Sequence, residues 1–343
     1  MKLRDALRAQ SRACTSLGSP FTGQLLRVVA DNIRRGTALT DRLLGWQGDI
    51  SGRGASVPLR LAGALHGLAR SGAAPELATR YPPNATPDDA TLWRAIDDAM
   101  TKHAARIDTW LDRPPQTNEV GRSAVLIAVG HLLAAEFNLP LRLSELGASA
   151  GLNLMWDRYA LGLPGGTFGP VAPALTLRPD WTGALPVKST PEVAERRGTD
   201  LTPLEVQDGE RLMAYIWPDQ PERLARTQAA LNIATAKVDR ADAADWLQTR
   251  LSAPHPGATH LMYHTIAWQY FPPETQSRAR SLIEAAGASA TPDAPLAWFG
   301  MEADDDAPGA GLTLRLWPGN RRITLGRADF HGRWVDWRPK EVA

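Results

Sequence analysis

Cysteine is almost absent from this chain, because Cys14 is the only one among 343 residues. A single cysteine excludes an internal disulfide and any zinc or iron–sulfur site that is built from several cysteines. The seven histidines contain no HExxH motif, and we expect no metal site. An excess of one charge is also missing, since 38 basic residues accompany 37 acidic ones. Nucleic-acid-binding proteins usually carry a basic surface, so we expect a small-molecule partner and no nucleic acid.

Long apolar runs are missing as well. We find no run that approaches the roughly 20 residues of a membrane-spanning helix. The first residues, MKLRDALRAQSRACTSLG, have the spacing of an amphipathic helix rather than that of a signal peptide. These absences predict a cytoplasmic protein that does not enter a membrane.

The pattern of apolar residues changes near residue 115 and indicates two regions. Residues 1–115 have helical spacing with glycine and proline between the segments, as in FTGQLLRVVADNI, VPLRLAGALHGLA and ATLWRAIDDAMTKHAARIDTWL. From residue 116 a helix leads into the strand LRLSEL, after which strands and helices alternate. Such alternation is typical of an open α/β sheet. We predict an α-helical region at 1–115 and a Rossmann-like doubly wound sheet at 116–343.

Three details of the second region can be predicted. An insertion is expected at 161–190, with ALTLRP and ALPVKS as short strands. The segment LTLRLWPGNRRITLGRADF is expected to form a hairpin that turns at Gly319 and Asn320. In an open α/β sheet, ligands bind beyond the carboxyl ends of the strands, so functional residues are sought there.

The segment ELGASAG, residues 145–151, joins a strand to a helix expected at 152–160. Gly147 and Gly151 can adopt backbone angles that other residues avoid, and they let a ligand approach the turn and the N–H groups of the next helix. Aligned from Glu145, the segment has an E-x-G-x-G-x-G pattern in which Ser149 replaces the middle glycine. Aligned from Gly147, it is the G-x-S-x-G motif of a serine nucleophile.

Three acids end successive predicted strands: Glu145, Asp200 and Asp242. A carboxylate at the second strand end can accept hydrogen bonds from both hydroxyls of a ribose, and the third can meet an adenine amino group. This order predicts a nucleoside ligand. Taken singly, an aspartate before a helix is also a common N-cap. The 55 residues between Glu145 and Asp200 require the insertion.

Polar residues near these strand ends are candidates for substrate binding. Asn118, Glu119 and Arg122 begin the helix before the strand, where they can reach a ligand or form a helix cap with an ion pair. Asn153 and Asp157 follow the glycine turn one helical turn apart. They can face the ligand together or belong to a solvated helix face.

Aromatic residues and a histidine further along complete the predicted site. His264, followed by Trp268 and Gln269, ends the fourth strand, where a histidine can remove a proton from a substrate. His264 can equally be a packed strand residue with a backbone partner. Trp156 and Trp217 are candidate walls of the cleft, together with Trp268. The segment IWPDQPER around Trp217 also suits the start of a helix.

The stretches ELGASAG, GTDLTP, DAADW and LMYHTIAWQYF together resemble the strand-end motifs of class I S-adenosylmethionine-dependent methyltransferases, over about residues 140–343. The resemblance implies S-adenosylmethionine as cofactor, with Glu145 and the turn 147–151 beside its methionine part. It also implies that Asp200 binds the ribose and that Asp242 and Ala243 lie at the adenine. The fourth strand, HTIAWQY, departs from the Asn-Pro-Pro-Tyr type of amino-methylating enzymes.

Over its whole length the chain resembles an uncharacterised bacterial family, the domain-of-unknown-function family 2332. The matching stretches are PLRLAGALHGLA, QTNEVGRSA, ELGASAGLNLMWDRY, WPDQPERL and HTIAWQYFP. We predict an S-adenosylmethionine-dependent methyltransferase that acts on an unknown small molecule. The alternatives are a serine hydrolase that uses Ser149, an acid such as Asp304, and His331, or a nucleotide-binding protein without catalysis.

Overall fold

A computed structural model describes residues 2–52, 54–205 and 208–342 of the chain. Its residue contacts divide the chain into two compact units. The first contains Met1–Thr117 and Gln207–Gln228, and the second contains Asn118–Val206 and Ala229–Ala343.

The regular elements alternate only in the second unit. The α-helices are α1 (Leu3–Ser16), α2 (Pro20–Asn32), α3 (Ala38–Leu44), α4 (Val57–Arg70), α5 (Pro75–Ala78), α6 (Asp89–Lys102), α7 (Ala104–Leu111), α8 (Ser123–Phe137), α9 (Gly209–Ala214), α10 (Pro221–Leu231), α11 (Ala243–Arg250) and α12 (Pro273–Ala288). The strands are β1 (Leu141–Leu146), β2 (Ala160–Leu163), β3 (Gly166–Phe168), β4 (Thr176–Leu177), β5 (Asp180–Gly183), β6 (Val193–Asp200), β7 (Lys237–Arg240), β8 (Thr259–Thr265), β9 (Leu296–Glu302), β10 (Ala310–Trp317), β11 (Arg321–Ala328) and β12 (Trp334–Val342). The predicted helices within residues 1–115 are confirmed, except that the segment 90–111 is interrupted at His103.

The first unit is helical because its segments repeat apolar residues every three or four positions and bury that face. On α4, two glycines leave room for aromatic rings. A Cβ atom at Gly63 would lie 2.4 Å from Cε1 of Tyr215, and one at Gly67 would lie 2.8 Å from Cη2 of Trp110. The Trp110 indole donates a hydrogen bond to the Tyr215 hydroxyl at 2.9 Å. Residues from both segments of this unit therefore share one core.

The second unit is built on a nine-stranded sheet with the order β5-β12-β11-β10-β9-β8-β1-β6-β7. The pairs from β7 through β6, β1 and β8 to β9 are all parallel. Numbered by their appearance in the chain, these five strands lie in the order 3-2-1-4-5, as in a doubly wound sheet. The strand order reverses at β1, so the crevice expected at such a switch point lies between the ends of β1 and β8. The prediction of an α/β chain with a mostly parallel central sheet is confirmed.

Antiparallel strands extend the sheet beyond β9. Strands β10, β11 and β12 each pair with the strand before them in an antiparallel direction. Gly319 and Asn320, with φ of +100° and +52°, form the turn between β10 and β11, which confirms the predicted hairpin. Two strands of the large sheet were not predicted: β12, which follows the hairpin, and β5, which pairs with β12 in parallel at the edge of the sheet.

The residues between β1 and β6 are all described, and they contain no α-helix. The helix expected at 152–160 is a 3-10 helix, Leu152–Arg158. Within the expected insertion, β2, β3 and β4 form a separate three-stranded sheet. The strand predicted at 184–189 is wrong, since Pro186 lacks the N–H group that a sheet ladder needs there.

The apolar helix α8 precedes β1 and lies in the interior of the second unit. With the short 3-10 turn before it, the segment Val120–Phe137 has the length and composition to cross a membrane, and 67% of it is buried in the protein. The expectation that no run approaches a membrane span is therefore wrong for this segment. A buried core helix meets the same criteria, so the segment does not by itself indicate a membrane protein.

Candidate functional site

Strand β1 ends in a turn with left-handed residues at three alternate positions. The φ angle is +73° at Gly147, +52° at Ser149 and +72° at Gly151. Glycine adopts this conformation without steric cost, whereas serine does so uncommonly. The three positions coincide with the three glycines of the E-x-G-x-G-x-G pattern. A Cβ atom at Gly147 would also lie 2.6 Å from Cβ of Ala267, so a side chain cannot replace this glycine without movement.

The N–H groups of this turn are used by strand β6. Those of Gly147 and Ala148 donate to the Thr199 carbonyl at 2.9 and 3.0 Å. The N–H of Ser149 donates to Oδ2 of Asp200 at 2.9 Å. The neighbouring strand end therefore satisfies the N–H groups of these three residues, so they are not free to bind a ligand.

Asn118 holds the start of the 3-10 helix that follows the turn. Its Oδ1 accepts a hydrogen bond from the N–H of Leu152 at 2.8 Å. The interpretation of Asn118 as the cap of its own helix is therefore wrong, because its side chain caps the 3-10 helix instead. Glu119 provides the local cap, since its Oε1 accepts from the N–H of Gly121 at 3.0 Å. Both side chains are buried, at 6% and 4% exposure.

Asp200 is the last residue of β6, beside the glycine turn. Its two oxygens each accept one backbone N–H, from Ser149 and from Thr202, both at 2.9 Å. The N-cap alternative does not describe Asp200, because neither donor begins a helix. A carboxylate has about four acceptor positions, so further acceptor capacity remains.

Asp242 follows β7 and caps helix α11. Its Oδ1 accepts from the N–H of Ala244 at 2.8 Å, and the Thr275 hydroxyl donates to Oδ2 at 3.0 Å. The N-cap alternative therefore describes Asp242. Ala243 is the first residue of α11 and is buried.

Glu145 is buried at the end of β1, with 1% of its surface exposed. Its Oε2 has no hydrogen-bond partner within the described part of the chain. Burial raises the pKa of Glu145 well above its ordinary value; the Arg122 charge lowers that pKa, and the Asp200 charge raises it. Glu145 lies opposite Tyr263 of β8 in the strand register, so their side chains share one face of the sheet. A ligand that donates a hydrogen bond or carries a positive charge would offset the cost of burying this acid.

Arg122 joins the end of β8 to the loop after β11. Its Nη1 donates to the Thr265 carbonyl at 3.0 Å, and its Nε donates to the Phe330 carbonyl at 2.9 Å. The side chain is 9% exposed. Arg122 therefore brings a positive charge to the edge of the sheet where Glu145 ends its strand.

Asn153 lies on the same face of the sheet and is 1% exposed. Its Oδ1 accepts from the Ser123 hydroxyl at 2.7 Å, and its carbonyl accepts from the Tyr263 hydroxyl at 3.2 Å. A solvated helix face is therefore the wrong interpretation for Asn153. Asp157 does not join this group, because its carboxylate pairs with Arg196 of β6 at 2.6 Å.

A comparison with known protein families identifies the family of this chain. The model of the family DUF2332, described as an uncharacterized protein conserved in bacteria, matches residues 4–337. The chain belongs to this family. Neither the curated proteins nor the solved structures contain a match to this DUF2332 chain.

His264 of the DUF2332 chain lies on the opposite face of the sheet from Glu145. It follows Tyr263 directly, and successive side chains of a strand point to opposite faces. The Trp298 indole, which can only donate, donates to Nε2 of His264 at 3.1 Å. Nδ1 therefore carries the ring hydrogen and donates to Oε1 of Glu302 at 2.7 Å. His264 is therefore a packed strand residue, as the alternative interpretation expects. Its hydrogen-bond partners, however, are side chains and not a backbone group.

Glu302 also receives the N–H groups of Ala267 and Trp268, at 3.0 and 3.1 Å. Burial raises its pKa, but the hydrogen bond from His264 and these N–H groups outweigh burial and hold the pKa below its ordinary value. Trp268 is 9% exposed and stacks on His264 with ring centroids 4.8 Å apart. Gln269, the next residue, is exposed.

The other two predicted wall residues, Trp217 and Trp156, pack in other parts of the structure. Trp217 belongs to the first unit and packs against its helical core. Trp156, on the 3-10 helix, is 1% exposed and packs on Gly130 of α8. Trp156 therefore fills the core, and its interpretation as a cleft wall is wrong.

The DUF2332 chain thus gathers one polar cluster on the α8 face of the sheet. The predicted members of this cluster are Asn118, Glu119, Arg122, Glu145, Ser149, Asn153 and Asp200. Sequence reasoning missed Tyr263, because its position opposite Glu145 depends on the register of β1 and β8. Within the described residues, no group of three or more His, Cys, Asp or Glu side chains is arranged to hold a metal.

Proposed function

We propose that this protein binds S-adenosylmethionine and transfers its methyl group to a small-molecule acceptor. The observation that carries the proposal is the turn with left-handed Gly147, Ser149 and Gly151 at the end of β1, the strand at which the parallel order reverses. Asp200 ends the adjacent strand β6 and contacts this turn. A class I methyltransferase would use such a turn and such an acid to hold its cofactor, so this combination supports the proposal.

The donors and acceptors at the turn favour this cofactor over a dinucleotide or a nucleoside triphosphate. A pyrophosphate is normally bound by free N–H groups after the first strand. Here the N–H groups of Gly147, Ala148 and Ser149 have partners in the protein. S-adenosylmethionine has no phosphate, so it does not need them.

Among the described residues, two buried polar atoms at the turn have no hydrogen-bond partner, Oε2 of Glu145 and Oγ of Ser149. In this proposal Glu145 accepts a hydrogen bond from the amino group of the methionine part, and the Ser149 hydroxyl binds beside it. Asp200 accepts from the ribose hydroxyls, and Asp242 with Ala243 lies at the adenine. An unpartnered buried acceptor costs free energy, so a donor on the ligand supplies an interaction that the protein lacks.

The cofactor supplies an activated methyl group, and the protein has to align the acceptor and exclude water. Such a transfer does not depend on a strong base. Both ring nitrogens of His264 already have partners, so we assign the base role to no side chain. Arg122 and Asn153 orient the acceptor in this proposal.

Isothermal titration with S-adenosylmethionine, S-adenosylhomocysteine, NAD and ATP tests the proposal. We expect the first two to bind and the last two not to bind. Asp200→Ala should abolish binding, and Asp200→Asn, which keeps one oxygen to accept the Ser149 N–H, separates the ribose contact from the integrity of the turn. Asp336→Ala is the matched control, because Asp336 is an aspartate on β12 that pairs with Arg338. Failure of both adenosyl ligands to bind would overturn the proposal.

A serine hydrolase is the second candidate, favoured by Ser149 itself. Its hydroxyl is buried and has no hydrogen-bond partner in the part of the chain that the structure describes. Its φ of +52° is a strained angle of the kind found in nucleophile turns. Against it, the missing partner means that no described histidine lies within hydrogen-bonding distance of the hydroxyl. Asp304, the suggested acid, pairs with Arg327 at 2.7 Å. Labelling of wild type, but not of Ser149→Ala, by a fluorophosphonate would establish the hydrolase.

A further inference from the structure

A cleft lies in the second unit, on the face of the sheet that helix α12 covers. It has a volume of about 400 Å³ and lies between α12 and strands β9 to β11. Its lining includes His264, Trp268, Trp298 and Thr313. This face is opposite to the face of Glu145, so the cleft is separate from the glycine turn.

Two indole rings form the apolar part of this cleft. The ring centroids of Trp268 and Trp298 are 5.5 Å apart, with planes inclined by 51°. The indole N–H of Trp298 is held by His264, which fixes the orientation of that ring. A flat apolar molecule can pack against such rings, because aromatic faces and edges attract one another.

Gly300 keeps the space beside these rings open. It lies in β9 next to His264 of β8 and opposite Thr313 of β10. A Cβ atom at Gly300 would lie 3.0 Å from Cε1 of His264 and 3.2 Å from Oγ1 of Thr313. Any larger residue would crowd two side chains of the lining.

Positive charge exceeds negative charge around the cleft. Arg280, Arg315 and Arg322 line it, and Glu284 is the only acid among its lining residues, all of which are described. Glu284 forms an ion pair with Arg315 at 2.5 Å. The guanidinium of Arg280 lies instead over the indoles, 5.8 Å from the Trp268 centroid and 5.4 Å from that of Trp298. Arg280 and Arg322 thus supply two charges that the single acid does not match.

We propose that this cleft binds a small planar aromatic anion. The ring packs against Trp268 and Trp298, and the anionic group accepts hydrogen bonds from Arg280 and Arg322. Guanidinium groups suit this role, because their planar donors match carboxylate and phosphate oxygens. This inference does not rest on the proposed methyl transfer, because it uses neither the glycine turn nor Asp200.

Titration with 2-naphthoate and its neutral analogue 2-naphthalenemethanol tests the charge requirement. We expect 2-naphthoate to bind saturably. The neutral analogue should bind at least about tenfold more weakly, because it loses a charge-assisted hydrogen bond. The double variant Arg280→Gln and Arg322→Gln should weaken binding of 2-naphthoate by a similar factor. Equal binding of the two probes, or no saturable binding of 2-naphthoate to wild type, would overturn the proposal.

Two further variants locate the site. Thr313→Phe places a ring in the cleft from an exposed strand position and should abolish binding of 2-naphthoate without unfolding the sheet. Arg278→Gln is the matched control, because Arg278 lies on α12 outside the cleft and pairs with Asp245. Thermal melting checks that each variant is folded. Unchanged affinity in a folded Thr313→Phe protein, or an equal loss in Arg278→Gln, would refute the location.

Discussion

Replacing Glu145 by glutamine should remove a pH-dependent cost of folding. The acid is buried, one of its oxygens has no hydrogen-bond partner among the described residues, and burial raises its pKa well above the ordinary value. A glutamine of the same shape keeps an oxygen at this position but does not titrate. We expect Glu145→Gln to become progressively more stable, relative to wild type, as the pH rises.

The sign follows from which state holds the proton. A pKa that is raised in the folded protein means that the folded state keeps a proton that the unfolded state has released. The stability contributed by Glu145 is fully present below its unfolded pKa and is lost as the pH rises through the folded pKa. Between these two values one proton changes the free energy of unfolding by about 1.4 kcal/mol per pH unit. Arg122 shortens this interval and Asp200 lengthens it.

Urea unfolding of wild type and Glu145→Gln at a series of pH values, from about 4.3 to about 8, measures this difference. Glu284→Gln is a useful control, because the hydrogen bond from Arg315 lowers the pKa of Glu284. That variant should lose stability relative to wild type above the ordinary carboxyl pKa, with the difference closing as the pH falls. A difference between wild type and Glu145→Gln that stays constant across the series would refute the reasoning.

Substitutions at two positions test the packing against α8 and the cap of α11. Gly130→Ala would place a Cβ atom 2.1 Å from Cη2 of the buried Trp156. Although alanine favours a helix, we expect this overpacking to lower the free energy of unfolding by about 1–3 kcal/mol, which is measured as a lower Tm. An unchanged Tm would show that this ring can move. Asp242→Ala removes the cap on the Ala244 N–H and the hydrogen bond from Thr275, and should lower the free energy of unfolding in urea by about 1 kcal/mol. Asp242→Asn should retain most of this stability, because its amide oxygen can still accept from the Ala244 N–H. Equal losses in the two Asp242 variants would contradict a capping role.

The elements that depend on neighbouring residues could be predicted from the sequence. Strand β1, the turn with Gly147 and Gly151, and the hairpin at Gly319 are each specified by residues a few positions apart. The alternation of strands and helices likewise predicts a mostly parallel sheet. The 3-10 helix after the turn was harder, because its first N–H group is held by Asn118, 34 residues earlier in the chain.

The unpredicted features depend on the pairing of distant strands. The register of β8 with its two neighbouring strands places Tyr263 beside Glu145 and His264 beside Glu302. Strand β8 is buried on both faces along its whole length. A strand buried on both faces has no apolar alternation to reveal which residues point to which side. Strand β5 was missed for a related reason, since its only pairing in the large sheet is with β12, about 150 residues later.

Two hydrogen bonds of Arg122 limit how early the site can be completed during synthesis. One reaches the end of β8, but the other reaches Phe330, 208 residues further along the chain. Strand β1 and its turn leave the ribosome long before this residue is made, and domains fold as their segments become available. Until Phe330 has been made, Arg122 lacks its hydrogen bond to that carbonyl, and its charge beside Glu145 is held without this contact. A nascent chain that ends before Phe330 is therefore expected to carry the glycine turn without a finished binding site.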